Sequence, residues 1–283
     1  MDALRLAPLF SAYDAVLLDL DGCVRVGREP ATGAVAAVSA LRAAGKRVAY
    51  VTNDPALSGE EVVRELWRMG FQASLEEVVT VGGALQHVLA EQSAWQTAFV
   101  IGPDAIFTHV EDAGLRILNH TDLARRVDVV VVAGHSGFDY AELRVATQAV
   151  LGGAGLIAAG RDRTYPMPDG PRPGTGAVVA ALEYATQATA LSVGKPEPQM
   201  FLTALDRLAE TGVDPARTLV VGDRVDADVA GAHAAGLDAA LVLTGVSSAD
   251  DGDAALRAPR PVLAVAENLG DLVLAAAGPA EGG

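Results

Sequence analysis

Short apolar runs alternate with alanine-rich helical stretches along this whole chain, and that alternation constrains the fold more than any other feature. The runs are DAVLLDLD (14–21), RVAYVT (47–52), AFVIG (98–102), VDVVVVAG (127–134), GLIAAG (155–160), ALSVG (190–194), TLVVGD (218–223) and DAALVLTG (238–245). A continuous apolar run of this length reads as a strand buried on both faces. Helical patterns are predicted over 33–44, 59–69, from 140, and over 175–184, 198–209 and 227–235. Ser58 with Glu61, and Asp139 with Glu142, have the spacing of helix-start caps. Strand–helix alternation predicts an α/β fold, with parallel sheets carrying helices on both faces. A length of 283 residues suits one large domain or two.

Composition narrows the function classes. A formal charge of −15 argues against a nucleic-acid partner. No stretch is long and apolar enough to predict a membrane span, since 145–160 is broken by Thr147, Gln148 and four glycines. The start, MDALRLAPLFSAYD, does not read as a secretory signal. Cys23 is the one cysteine, which excludes an internal disulfide and suits a reducing, cytoplasmic compartment. The loop GRDRTYPMPDGPRPG (160–174) has the length and composition of functional or mobile loops, and the tail AAAGPAEGG (275–283) reads as disordered.

Four of the runs end in chemistry rather than in a plain turn. The first ends at Asp19 and Asp21, the second at Thr52 and Asn53, ALSVG at Lys195 and TLVVG at Asp223. Residues two apart on a strand share a face, so Asp19 and Asp21 repel and call for a metal ion, a lysine or protonation. Ligands bind at the carboxyl ends of parallel strands, so these side chains converge on one rim if the strands lie side by side. The chain has two lysines, Lys46 and Lys195, among 21 basic residues. A lysine between Gly194 and Pro196 at a strand end therefore points to a site that wants a compact ammonium. Asp226 and Asp228 lie at a helix start, where acids favour the helix dipole, and Asp226 is explained by that alone. Clustered carboxylates with a backbone carbonyl, water and phosphate are the ligands Mg²⁺ takes.

DLDGCV, VTND, GKPEPQMF and VVGDRVDAD resemble, in order and spacing, the four motifs of the haloacid dehalogenase-like superfamily. The long interval between Thr52 and Lys195 is similar to the subfamily IIA branch, which carries a large α/β cap and includes 4-nitrophenyl phosphatases. The resemblance implies a Rossmann-like core of residues 1–82 and 187–283, with an inserted α/β cap at 83–186. It implies Asp19 as the nucleophile that forms an aspartyl-phosphate and Asp21 as the acid and base. Mg²⁺ is then expected on the carboxylates of Asp19 and Asp223 and the carbonyl of Asp21, with Asp228 close by or through water. Thr52 and Asn53 would hydrogen-bond phosphoryl oxygens, and Lys195 would offset charge on Asp19 and phosphate. Arg161 and Asp162, on the long loop, would contact the substrate. That substrate is expected to be a small phosphorylated metabolite, glycerol 3-phosphate, phosphoglycolate or a sugar phosphate. Nucleotide monophosphates and pyridoxal phosphate are alternatives, 4-nitrophenyl phosphate is the artificial substrate, and a homodimer through the cap is the implied assembly. The rival readings are a phosphotransferase or mutase, and a catalytically silent metal- or ligand-binding protein.

Two positions depart from the motif pattern. Cys23 replaces the usual threonine or valine and is expected to pack, while Asp54 replaces the second asparagine and is expected to point away or to set leaving-group preference. The five histidines, 87, 109, 120, 135 and 233, lack zinc-site spacing and read as surface or packing residues.

Overall fold

A computed structural model describes residues 5–165, 170 and 172–275; the tail read as disordered lies outside the described residues, apart from its first residue. The chain forms two compact units. One comprises Met1–Thr52, Glu60–Val79 and Phe201–Gly283; the other comprises Asn53–Gly59 and Thr80–Met200.

The first unit is built on a six-stranded sheet in the order Val265–Ala266, Asp238–Val242, Thr218–Gly222, Ala15–Asp19, Arg47–Thr52, Val78–Thr80. Ala15–Asp19 and Thr218–Gly222 are buried at every position, and Arg47–Thr52 at all but its first. That is why their sequences are continuous apolar runs rather than alternating ones. Leu17 lies opposite Ala49 on one side and Val220 on the other, both in parallel register. The chain's first strand is thus central, and later strands are added on both sides of it. The order reverses between Ala15–Asp19 and Thr218–Gly222, and such a reversal opens a crevice at the carboxyl ends of the strands.

The second unit has a five-stranded parallel sheet in the order Leu191–Ser192, Gly155–Ala158, Val129–Val132, Thr97–Ile101, Arg116–Ile117. Helices Tyr140–Leu151 and Thr175–Thr186 pack on it through Ala146, Ala149, Val179 and Leu182, all buried against Phe99, Val130 and Val132. Asp139 and Glu142 form a complete capping box at the start of Tyr140–Leu151. Within the long loop, Thr164–Tyr165 and Arg172–Pro173 pair as a short antiparallel ribbon.

Two expectations need correction. The strand before Lys195 does not join the sheet of Asp19, Thr52 and Asp223; Leu191 pairs with Ile157 and Ser192 with Ala158, in the sheet of the second unit. The single rim of four strand ends is therefore three strand ends in one sheet and a fourth in another. The helix expected over 227–235 also begins differently. Val225–Val229 is a wide turn of π geometry that runs into helix Ala230–Ala234.

Candidate active site

In the first unit, Asp19 closes the central strand and Asp223 follows its neighbour, one on each side of the order reversal. Asp228 reaches them from the π turn. Each of these three buried carboxylates offers an oxygen, and the three oxygens lie within 4.8 Å of one another. Asp19 is 7% exposed, and Asp223 and Asp228 are 1% exposed. Two carboxylate charges at that separation repel by about 3 kcal/mol at an effective dielectric near 20, so the cluster suits a cation.

The backbone around the cluster explains why it can form. Asp228 Oδ2 accepts the N–H groups of Asp223 (3.2 Å) and Arg224 (3.0 Å), so this acid folds the loop that follows strand Thr218–Gly222. Asp223 Oδ2 accepts the N–H of Val246 at 2.6 Å. A Cβ on Gly22 would lie 2.5 Å from Asp223 Oδ2, and one on Gly245 only 1.8 Å from it. Gly22 also has φ +98°, so a side chain there is excluded twice. Thr244 donates its hydroxyl to the Gly22 carbonyl, which ties the DLDG turn to the loop after Asp238–Val242. Three hard carboxylate oxygens, buried together beside backbone that leaves them no room to disperse, fit Mg²⁺ better than a soft metal.

Asp21 differs from its neighbours, with a side chain 52% exposed. Its Oδ1 accepts Arg25 Nε at 2.8 Å, and its Oδ2 accepts an Arg25 Nη at 3.3 Å and the Thr52 hydroxyl at 3.4 Å. Thr52 itself is buried at the end of its strand. Cys23 is fully buried, with Sγ 3.7 Å from the Val221 carbonyl, which is a packing position.

In the second unit, the Asn53 amide is used on the backbone of Lys195. Its Oδ1 accepts the Lys195 N–H at 2.9 Å, and its Nδ2 donates to the Lys195 carbonyl at 3.1 Å. Asn53 Nδ2 also lies 3.3 Å from Asp162 Oδ2, so Asn53, Asp162 and Lys195 form one polar group. Arg161 stands apart from it. Its guanidinium donates twice to Glu183, at 3.2 and 2.9 Å, and once to the Ala190 carbonyl at 2.9 Å. That pairing holds the Glu183 carboxyl below its usual range and clamps helix Thr175–Thr186 to the chain before Leu191–Ser192. Asp54 Oδ1 accepts the Ala56 N–H at 2.8 Å, a local turn bond.

Sequence reasoning missed Arg25, Glu65, Thr244 and Gly245. Arg25 is 5% exposed and joins Asp21 to Glu65 of helix Gly59–Arg68. An arginine four residues after Asp21 was the available signal, but its second partner lies 40 residues away.

Comparison with known proteins places these features in a family. The model described as haloacid dehalogenase-like hydrolase matches residues 16–116, and one described as HAD-hydrolase-like matches 192–272. A D-glycerol 3-phosphate phosphatase of Mycobacterium tuberculosis is 39% identical over 240 residues, covering 84% of this chain; the chain spans 65% of that relative's length. An acid sugar phosphatase of Staphylococcus aureus is 34% identical over 239 residues, covering 84% of this chain and 90% of the relative. The crystal structure of a glycerol phosphate phosphatase from Mycobacterium tuberculosis in complex with magnesium superposes with a TM-score of 0.82 at 36% identity, covering 93% of this chain and 78% of that one.

Proposed function

Since this chain belongs to the haloacid dehalogenase-like hydrolase family, we propose that it is a Mg²⁺-dependent phosphatase of a small phosphorylated metabolite. The observation that carries the reading is the buried group of Asp19, Asp223 and Asp228 at the carboxyl ends of the central strands. Asp19 attacks phosphorus, the P–O bond to the leaving group breaks, and an aspartyl-phosphate forms. Asp21 gives its proton to the leaving oxygen, then takes one from the water that attacks the aspartyl-phosphate. Inorganic phosphate leaves and the Asp19 carboxylate is restored. The Thr52 hydroxyl donates to the phosphoryl group. The carboxylates of Asp19 and Asp223 and the carbonyl of Asp21 would hold Mg²⁺, which would supply positive charge against the phosphoryl oxygens, while Asp228 holds the loop that presents Asp223.

From the motif match we assign Lys195 as the cation that offsets charge on Asp19 and phosphate. Asn53 takes part through Lys195, whose backbone it holds, and Asp162 through Asn53. In this reading the segment 83–186 is the inserted cap and selects the substrate. A polyol or sugar phosphate is the favoured class, supported by the two relatives named for glycerol 3-phosphate and acid sugar phosphates. A cytoplasmic location and a homodimer through the cap belong to the same reading. No helix among the described residues is long and apolar enough to cross a membrane.

The test is phosphate release from 4-nitrophenyl phosphate and a panel of metabolite phosphates, for wild type and Asp19→Asn, with Mg²⁺ and with EDTA. Release that needs Mg²⁺ and falls by several orders of magnitude in Asp19→Asn supports the mechanism. Release that survives Asp19→Asn refutes the nucleophile, and phosphoryl capture by an added alcohol or sugar in place of water turns the reading toward a transferase.

A further inference from the structure

Arg25 is a buried guanidinium that the reaction steps above leave without a task. It opens the short antiparallel ribbon Arg25–Val26 with Glu29–Pro30. Its own backbone closes the loop on the acid it grips: Arg25 N–H donates to the Leu20 carbonyl at 2.9 Å, and the Arg25 carbonyl accepts the Gly22 N–H at 2.7 Å. The side chain then spans two carboxylates, Asp21 through Nε and one Nη, and Glu65 through the other Nη. Burying a guanidinium is expensive unless its fork is fully used, and a planar fork fixes a carboxylate in a way an ammonium does not. Asp21 needs fixing, because a half-exposed aspartate is otherwise free to change rotamer.

The two oxygens of Asp21 are held unequally. Oδ1 has the 2.8 Å charge-assisted bond, whereas Oδ2 has only contacts of 3.3 and 3.4 Å. We propose that Arg25, braced by Glu65, is a positioning residue for proton transfer, anchoring Asp21 Oδ1 so that Oδ2 carries the proton. This inference rests on the phosphatase reading. Oδ2 gives its proton to the bridging ester oxygen as the P–O bond breaks and that bond's electron pair passes to the oxygen. The same atom then accepts a proton from the water that opens the aspartyl-phosphate.

Leaving groups separate this role from a merely structural one. Nitrophenolate departs without a proton, whereas an alkoxide needs one. The ratio of kcat/KM for glycerol 3-phosphate, or the best alkyl ester of the panel, to that for 4-nitrophenyl phosphate is measured with Mg²⁺ in four proteins. These are wild type, Arg25→Gln, Arg25→Lys and Glu65→Gln. The expected result is a ratio lowered by about 100-fold in both Arg25 variants, the scale of a misplaced general acid. Glu65→Gln lowers it less, in the same direction. If Arg25→Gln does not fold, Arg25→Lys and Glu65→Gln decide. Equal losses on both esters, or an unchanged ratio, overturn the positioning role. A wild-type ratio in Arg25→Lys overturns the need for the fork. Wild type that hydrolyses neither ester overturns the phosphatase reading, and this inference with it.

Discussion

Gly245→Ala should uncouple metal binding from folding. The added Cβ falls 1.8 Å from Asp223 Oδ2, 2.4 Å from its Cγ and 2.8 Å from its Cβ. Ordinary carbon contacts are about 3.5–4.0 Å, so the carboxylate must swing away by more than an ångström. In doing so it forfeits the bond from Val246 N–H, a hydrogen bond to a charged group worth about 1.5–3 kcal/mol. It also moves away from the other two acids, and widening each separation from 4.8 Å to about 6 Å relieves about 0.7 kcal/mol per pair, about 1.4 kcal/mol for the two. The two changes largely cancel, so the metal-free protein should keep most of its wild-type stability. Metal binding has no such offset, and displacing a ligand weakens it by at least the roughly 10–100-fold that losing an outer-shell partner costs. At a Mg²⁺ concentration 100 times the wild-type Kd, linkage stabilises the folded wild type by about 2.7 kcal/mol. With affinity 100-fold weaker, the same concentration gives only about 0.4 kcal/mol. Urea unfolding with and without Mg²⁺ reads both quantities, and calorimetric titration with Mg²⁺ reads Kd directly. Gly83→Ala is the control, since its Cβ meets nothing closer than Thr80 Oγ1 at 3.5 Å. The reasoning is refuted if Gly245→Ala keeps the full Mg²⁺-dependent gain, or loses its stability equally in the presence and absence of Mg²⁺.

Two further outcomes are expected. Arg161→Gln should lower stability by about 1 kcal/mol, the upper range for a partly exposed pair, and leave KM unchanged, because Glu183 and Ala190 already occupy the guanidinium; a raised KM at unchanged stability would return Arg161 to substrate binding. Burial, and then the charge of Arg260, hold the His233 imidazole below its ordinary value of 6.5. The unfolded chain therefore takes up its proton first as the pH falls, so stability should decline below pH 6.5 toward the lowered folded value. The urea midpoint should fall less over that window in His233→Asn; an identical fall in both proteins would exclude His233 as the source.

The central strands could be read from the chain because they are buried on both faces, which leaves a continuous apolar run at 15–19, 47–52 and 218–222. Val78–Thr80 and Val265–Ala266 escaped because two or three residues carry no period. Leu191–Ser192 was recognised as a strand, but a strand's sequence does not name its neighbour, and its partner is Gly155–Ala158. The same limit applies to side chains. The acids of the candidate site announce themselves by standing where apolar runs stop. Asn53 looked like a phosphate ligand by type and position, yet its amide is used on a backbone 142 residues away. Arg161 looked like an anion-binding residue, and its partners Glu183 and Ala190 lie 22 and 29 residues on. Arg25 was overlooked for the converse reason, since nothing local distinguishes a buried arginine from a surface one.

The pairing of the first strand has a consequence for biosynthesis. Ala15 lies beside Thr218, so the strand that carries Asp19 waits for a partner made some ~200 residues later, which at ribosomal rates takes roughly 10–40 s. The sheet of the second unit needs only strands from the continuous stretch 97–192, so every one of them is synthesised before Asp223 is. During that interval a nascent chain holds Asp19 without either of the acids that share its cluster. Any product that ends before Asp228, through stalling or a premature stop, therefore lacks the triad by topology alone, however well its earlier segments fold.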